Sequence, residues 1–224
     1  MINNIEFESF GDSSIILKSK NNKTLTLIYT ILDSIKVKEI EDIVKTKSSI
    51  GLIFNPYQIT YYSFKKKLIN IIRKSKISNK KKNIKIWKIP VCYSKDYGID
   101  LEFLSKKLKI SIERIKNYHK KSTYKVNMIG FLPGFVYLDG NNKLLNIPRK
   151  KTPRRSISYG SIGIARSQTG IYNLKSPGGW NIIGKTPIKL FNKRENPPIK
   201  IKEGDLVEFY EIDKKKFKEI DKEE

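Results

Sequence analysis

The chain has 224 residues, of which 38% are hydrophobic, and a formal net charge of +24. That is enough apolar material to bury a core in one large or two small domains, and it excludes a disordered chain. No apolar run approaches membrane-spanning length and no charged-then-apolar leader opens the sequence, so a soluble, cytoplasmic protein without membrane contact is expected.

In chain order, "IEFESF", the turn "GD" and "SIILKS" read as a hairpin. "KTLTLIYTIL" reads as a short helix, "IEDIVKT" and "IGLIFNP" as two strands. "SFKKKLINIIRKS" reads as a helix with Phe64, Leu68, Ile71 and Ile72 on one face and lysines on the other. The order ββαββα predicts a small α+β domain over residues 1–80. "SKISNKKKN" has the composition of a linker. "IKIWKIPVCYS" is a strand whose Cys92 reads as a small buried residue; a single cysteine excludes an internal disulfide and a zinc cluster, and no metal is expected. "DLEFLSKKL" and "SIERIKNYHKK" are short helices, the second capped by Ser111. A helix pair admits a helix-turn-helix reading, but beyond Lys116 and Asn117 the second helix offers no base-reading face. The lysines run along the whole chain with Asn and Ile, residues that share A/T-rich codons, so a solvated lysine coat accounts for the charge and no nucleic-acid partner is expected. From Tyr124 onward only short strands and turns are predicted.

Between Gly130 and Leu190 the composition changes: 9 of the 13 glycines and 5 of the 9 prolines lie there, with 10 Lys or Arg and one acid, Asp139. Glycine and proline at this density mean tight loops held for a packing or binding reason. No nucleophile elbow and no paired carboxylates occur there. What remains is backbone N–H groups, the guanidinium groups of Arg149, Arg154, Arg155 and Arg166, the amide of Gln168, the hydroxyls of Thr169 and Tyr172, and aromatic walls at Phe131, Phe135, Tyr137 and Trp180. That set suits a small anion or carboxylate.

"GWNIIGKT", residues 179–186, matches the phosphate-loop pattern G-x-x-x-x-G-K-S/T. The context is wrong for one. The match follows the turn "KSPGG", carries bulky residues where phosphates need room, and runs into Pro187 and a strand-like "PIKLFN" where a helix should open. It reads as accidental, with Lys185 a surface lysine at a strand end.

"GFLPGFVYL", "IPRKKTPRR", "YGSIGIARSQTGIYNLKSPGGWNIIGKTP" and "EGDLVEFYEI" occur in this order. With them the sequence resembles the family of the bacterial 5-oxoprolinase B subunit, which includes KipI-type kinase inhibitors and carries the labels allophanate hydrolase subunit one and carboxyltransferase domain, subdomains C and D. The resemblance is strong from about Ile84 to Ile212 and loose before it. It implies an α+β N-terminal domain followed by a mostly-β, cyclophilin-like barrel over 84–224 with two short helices at its start. It also implies one component of an ATP-dependent 5-oxoprolinase. Its partners would be a second cyclophilin-like component, the C subunit, and the A subunit, with ATP used by the complex and its site not assigned to this chain. Within the same family the alternatives are an inhibitor that grips a sensor histidine kinase, and one component of a carboxyltransferase or an allophanate hydrolase-type amide hydrolase. The motif positions are His119, Gly130, Phe131, Pro133, Gly134, Phe135, Tyr137, Pro148, Arg149, Pro153, Arg154, Gln168, Thr169, Tyr172, Pro177, Gly178, Gly179 and Trp180. Of these, Arg149, Arg154, Gln168, Thr169 and Tyr172 are expected to bind substrate. His119 is expected either to carry a proton or to pack at a helix end, and the Phe and Trp residues read as core. Three positions depart from the family pattern: Ser158 and Asn173 replace prolines, and Arg166-Ser167 replaces small residues, where a positive φ would strain Arg166.

Overall fold

The computed structural model describes residues 4–46, 48–75 and 83–223, which fall into two units, Met1–Lys82 and Asn83–Glu224. In the first, strands β1 (Glu6–Ser9) and β2 (Ser14–Lys18), helix α1 (Asn22–Ile35), strands β3 (Ile40–Lys45) and β4 (Ser49–Phe54) and helix α2 (Tyr61–Lys74) follow in order. The four strands form an antiparallel sheet in the order β1-β2-β4-β3. Ile15 and Leu17 alternate with outward residues in β2, as do Ile50, Leu52 and Phe54 in β4, and this face packs on Leu25, Ile28 and Leu32 of α1 and Phe64, Leu68 and Ile72 of α2. Thr and Ile are poor helix formers, yet α1 runs 14 residues. Its apolar spacing buries one face, and Asn21 caps it by accepting from the N–H groups of Lys23 and Thr24. Seven residues of the proposed linker, 76–82, lie outside the described residues.

The second unit comprises β5 (Ile86–Val91), α3 (Leu101–Leu108), α4 (Ile112–Lys120), β6 (Thr123–Ile129), β7 (Val136–Asp139), β8 (Arg154–Ile157), β9 (Ser161–Ala165), β10 (Gln168–Ile171), β11 (Ser176–Gly178), β12 (Asn181–Lys185), β13 (Leu206–Glu211) and α5 (Lys214–Glu223). Seven strands make one mixed sheet, β12-β9-β10-β7-β6-β13-β5, in which only β13 and β5 are parallel. The sheet curls until its two edges meet. Cys92, just past β5, exchanges both backbone hydrogen bonds with Lys185 at the end of β12, N to O at 2.8 and 3.0 Å. Inside lie Val91, Tyr124, Val126, Val136, Leu138, Ile162, Ile164, Ile171, Ile183 and Val207, with Leu101 and Leu104 of α3 and Ile115 of α4. The buried carboxylate of Asp205 joins the two chain ends of this unit by accepting from the Lys85 N–H, the Trp87 indole and the Lys202 N–H.

The expectation of strands and turns alone after Tyr124 is corrected by α5 and by a 3-10 turn at Lys143–Leu145. In "KKKFKEIDKE" only Phe217 is fully buried, too little to print a helical period on the sequence. The usable signal is Asp213, whose side chain caps the Lys216 N–H at 2.7 Å.

The glycines of the 130–190 region mostly make room for rings. Tyr137, Gly170, Gly163 and Ile182 are aligned across four adjacent strands. They lie on the side of the sheet opposite its main core. A Cβ on Gly170 would sit 2.7 Å from Phe135 Cζ and 2.9 Å from Trp180 Cζ3, and one on Gly163 would sit 2.9 Å from Trp180 Cβ. Both rings are buried and have no space to retreat into. Gly170→Ala is therefore expected to destabilise this unit by about 1–3 kcal/mol in urea denaturation, whereas Gly130→Ala, whose Cβ meets nothing nearer than Met128 Cε at 3.8 Å, is expected to stay within about 0.5 kcal/mol.

Candidate functional site

Phe135, Tyr172, Trp180, Ile157, Ala165 and Ile182 form a separate cluster on this glycine-cleared side, with Leu132 and Tyr137 at its border. Phe135 is its centre: its ring centroid lies 4.6 Å from Tyr137, 4.8 Å from Tyr172 and 5.8 Å from Trp180. Burial pushes the Tyr172 hydroxyl up to about 12, against a backbone hydrogen bond from Trp180 and the charge of Arg149. The exposed guanidinium of Arg149 lies 5.4 Å from the Trp180 ring centroid. It forms no hydrogen bond or ion pair with the described residues. Beside it the loop "FLPG" turns on two left-handed residues, Phe131 at φ 72° and Gly134 at φ 76°. Phe131 is 64% exposed and meets Phe135 edge-on at 5.7 Å. A bulky residue held at positive φ with its ring in solvent is the kind of local strain found at binding loops. The clustered rings of this face are buried; what it opens to solvent is the Phe131 ring, the Arg149 guanidinium and part of Tyr137. The chemistry these groups offer is a cation beside aromatic carbon, with neither a nucleophile nor a base among them.

Next to this face lies a carboxylate that the sequence does not single out. Asp100 occupies the N-cap position of α3 but makes no cap bond. Its buried side chain turns to β12 and β8 instead: Oδ2 accepts from the Ile182 N–H at 2.7 Å and Arg154 Nη1 at 2.9 Å, and Oδ1 from Arg154 Nη2 at 2.7 Å and Lys150 Nζ at 3.0 Å. Burial pushes the Asp100 carboxyl up, but the hydrogen bonds from Arg154, Ile182 and Lys150 outweigh it and hold the group below the usual carboxylate range. Arg154, expected on substrate, thus has both arms of its fork on Asp100. An acid before "LEFL" reads as a helix cap, and nothing in the local pattern marks it as anything else.

His119 and Thr169 are also placed away from an open face. Both are 0% exposed. His119 Nδ1 is 2.7 Å from the Tyr93 hydroxyl, its ring stacks on Phe209 at 4.4 Å, and Nε2 has no partner. Burial lowers its pKa to about 3, so it is neutral at physiological pH and has no contact with solvent through which to carry a proton. Its ring packs at the end of α4 among Tyr93, Tyr124 and Phe209. Thr169 Oγ1 and the Tyr124 hydroxyl both reach Asn141 Oδ1 at 3.4 Å inside the sheet. Gln168 donates from Nε2 to Asp139 at 2.9 Å. Of the expected anion-binding set, Arg149 and Tyr172 are brought together; Arg154, Gln168 and Thr169 are engaged elsewhere.

Residues 179–186 form β12 and its approach, not a helix start, so no helix N-terminus points at a phosphate there; the strand expected at "PIKLFN" is corrected, since residues 187–192 form no strand and only Phe191 makes an isolated bridge, to Ile199. Lys185 is not a plain surface residue: it is half-buried among aromatic rings. Arg166 takes φ 52° at the first position of the two-residue β9–β10 hairpin, as a type II′ turn requires, and Asn173 donates from Nδ2 to the Gly134 carbonyl. In the helix pair, Lys116 is bound by Glu113 at 2.9 Å and Glu211 at 2.7 Å, so it is not free to read bases. Among the described residues no helix is long and apolar enough to cross a membrane, and no group of three or more His, Cys, Asp or Glu could hold a metal ion.

Two stability effects follow. Asp100→Ala leaves Arg154 and Lys150 without their shared acceptor in a partly buried site and is expected to cost about 3–5 kcal/mol, read as a lower urea midpoint. His119 binds a proton below pH 6.5 when unfolded but only below about 3 when folded, so stability falls as the pH drops through that window. The expected slope is up to about 1.4 kcal/mol per pH unit, and His119→Gln, which cannot titrate, should remove that share from urea midpoints measured between about pH 7 and about pH 4.

Comparison with known proteins gives a consistent result. The B subunit of 5-oxoprolinase from Bacillus subtilis is 47% identical over 135 residues, 60% of this chain and 56% of that protein. The chain thus spans about half the length of the curated relatives it matches. A conserved protein from Pyrococcus horikoshii of known structure is 32% identical with a TM-score of 0.58, over 95% of this chain and 100% of that one. The urea amidolyase of Kluyveromyces lactis superposes with a TM-score of 0.79 over 98% of this chain and 15% of that one, at 17% identity, a likeness of fold alone. The profile of the family described as carboxyltransferase domain, subdomain C and D, matches residues 5–201. The chain belongs to the carboxyltransferase domain, subdomain C and D, family.

Proposed function

We propose that this chain is one component of an ATP-dependent 5-oxoprolinase, a cytoplasmic complex that opens 5-oxoproline to glutamate. Its partners are the A subunit and a second, cyclophilin-like component, the C subunit. The observation that carries this reading is the open Arg149 guanidinium above the Trp180 ring. 5-Oxoproline is a flat lactam bearing one carboxylate. A guanidinium fork takes the carboxylate through charge-assisted hydrogen bonds, and an aromatic wall takes the ring. The curled, edge-joined sheet is read as a cyclophilin-like barrel that displays this face. The relative from Bacillus subtilis, named as the B subunit of 5-oxoprolinase, supports the substrate class.

Ring opening adds water across the lactam C–N bond, and ATP hydrolysis in the complex drives it. This chain's part is binding and orientation: Arg149 fixes the carboxylate, the exposed Phe131 ring and half-buried Tyr137 border the lactam, and Asp100 holds the neighbouring β8 and β12 in place. The aromatic face carries no nucleophile or base, so the activating groups come from elsewhere in the complex; ATP is used by the complex, with its site not assigned to this chain.

The test is release of glutamate from 5-oxoproline and ATP by this chain mixed with its candidate A and C subunits. Turnover is expected only in the complete mixture, and Arg149→Gln should lower kcat/KM by about 10- to 100-fold, mostly through KM. Absence of turnover with folded, associating subunits would overturn the assignment and favour a module that binds a histidine kinase or an enzyme of another amide.

A further inference from the structure

The lysine of the accidental phosphate-loop match sits in an unusual position. The Lys185 ammonium lies over three rings, 4.8 Å from the Tyr159 centroid, 5.5 Å from Phe217 and 5.6 Å from Tyr97. Rings attract a cation but accept no conventional hydrogen bond, and each contributes about 0.5–2 kcal/mol, less than an ammonium loses when it leaves water. Lys185 makes no side-chain hydrogen bond or ion pair with the described residues. It also lines a cavity of about 200 Å³ whose other polar groups are Ser156, Ser158, Ser161, Asp96 and Tyr97. The two carboxylates nearby are already engaged, Asp96 by Lys214 and Asp221 by the Tyr159 hydroxyl. Phe217, which packs on Tyr97 at 4.6 Å, brings α5 to the same cluster.

Size narrows the ligand. Drug-sized molecules and cofactors occupy roughly 300–1,000 Å³, so a nucleotide is too large for this space. An ion with a few heavy atoms fits. A partly desolvated ammonium with hydroxyl donors at hand is matched by a small oxyanion whose oxygens accept from both. We propose that the cavity between β8, β9 and β12 binds a small carboxylate through Lys185 and the serine hydroxyls, at a site other than the Arg149 face. This inference is independent of the ring-opening reading, because it needs a carboxylate and no lactam.

The experiment is an NMR titration of the full ¹⁵N-labelled chain with sodium acetate, with sodium chloride at matched ionic strength and inorganic phosphate as comparison arms. Saturable shifts are expected at the amides of Ser156, Ser158, Gly160 and Ser161. Lys185→Met should weaken that binding by at least about tenfold, and Lys185→Arg should keep it within about threefold. The amide spectrum reports directly whether each variant is folded, and Lys185→Gln replaces the Met variant if that one is not. The proposal is overturned if acetate shifts these amides no more than chloride does. The same holds if the shifts are confined to the face around Trp180, if Lys185→Met binds as the parent does, or if phosphate binds more tightly than acetate.

Discussion

Two glycines facing each other across adjacent strands set the character of the second unit. Gly163 and Gly170 are hydrogen-bonded neighbours in register, and neither has room for a Cβ. Without those two carbons the sheet surface has a flat trough. Phe135 and Trp180 lie in it, and Tyr137 and Tyr172 close around them. A sheet normally buries one face and leaves the other wet. Here the second face carries its own buried aromatic cluster, and Arg149 rests on its rim. The candidate site is thus a consequence of close packing. Its aromatic residues are packed against the strands beneath them, and only the rim, Phe131 and Arg149, is open to solvent.

The Asp100 carboxylate extends this logic in polar form. It links the start of α3, the ribbon strand β8 and the sheet strand β12 through four hydrogen bonds from three residues. A single acid with every partner satisfied is worth more as a tie than a spread of surface pairs, because removing one partner strands the rest in low dielectric. Among the described residues, other ion pairs are often exposed, such as Lys95 with Glu102 at 3.0 Å, and such pairs add little to stability. The high positive charge therefore says little about how the molecule is held together.

The same packing explains why similar residue types took different roles. Arg149 and Arg154 lie five positions apart in the motif "IPRKKTPRR". One finds a ring and open water, the other a buried carboxylate. His119 and Lys185 are both titratable groups surrounded by aromatic residues. The histidine is sealed in the core and kept neutral, while the lysine borders a cavity. Which of these groups can meet a ligand depends on neighbours tens of residues away.

Local pattern was enough for much of the architecture. The turn "GD" between two apolar runs placed β1 and β2 as a hairpin, the spacing of Phe64, Leu68, Ile71 and Ile72 placed α2, and Ser111 marked the start of α4. The density of glycine after residue 130 marked the region that carries the candidate site, and Pro187 directly after the match was enough to reject a phosphate loop at 179–186, although "PIKLFN" forms no strand. Helix α5 was missed: Phe217 and Ile220 stand three apart, but two apolar residues among charges mark a helix only weakly. Asp100 was not legible either, since a cap and a buried tie look the same in one dimension. The sequence by itself determined the strands up to β5, four of the five α-helices described and the aromatic and basic inventory, since these follow from contacts within a few residues. Only the tertiary structure decided which arginine is free, which histidine is sealed and which lysine faces a cavity, because burial and pairing depend on residues that the fold brings together from distant parts of the chain.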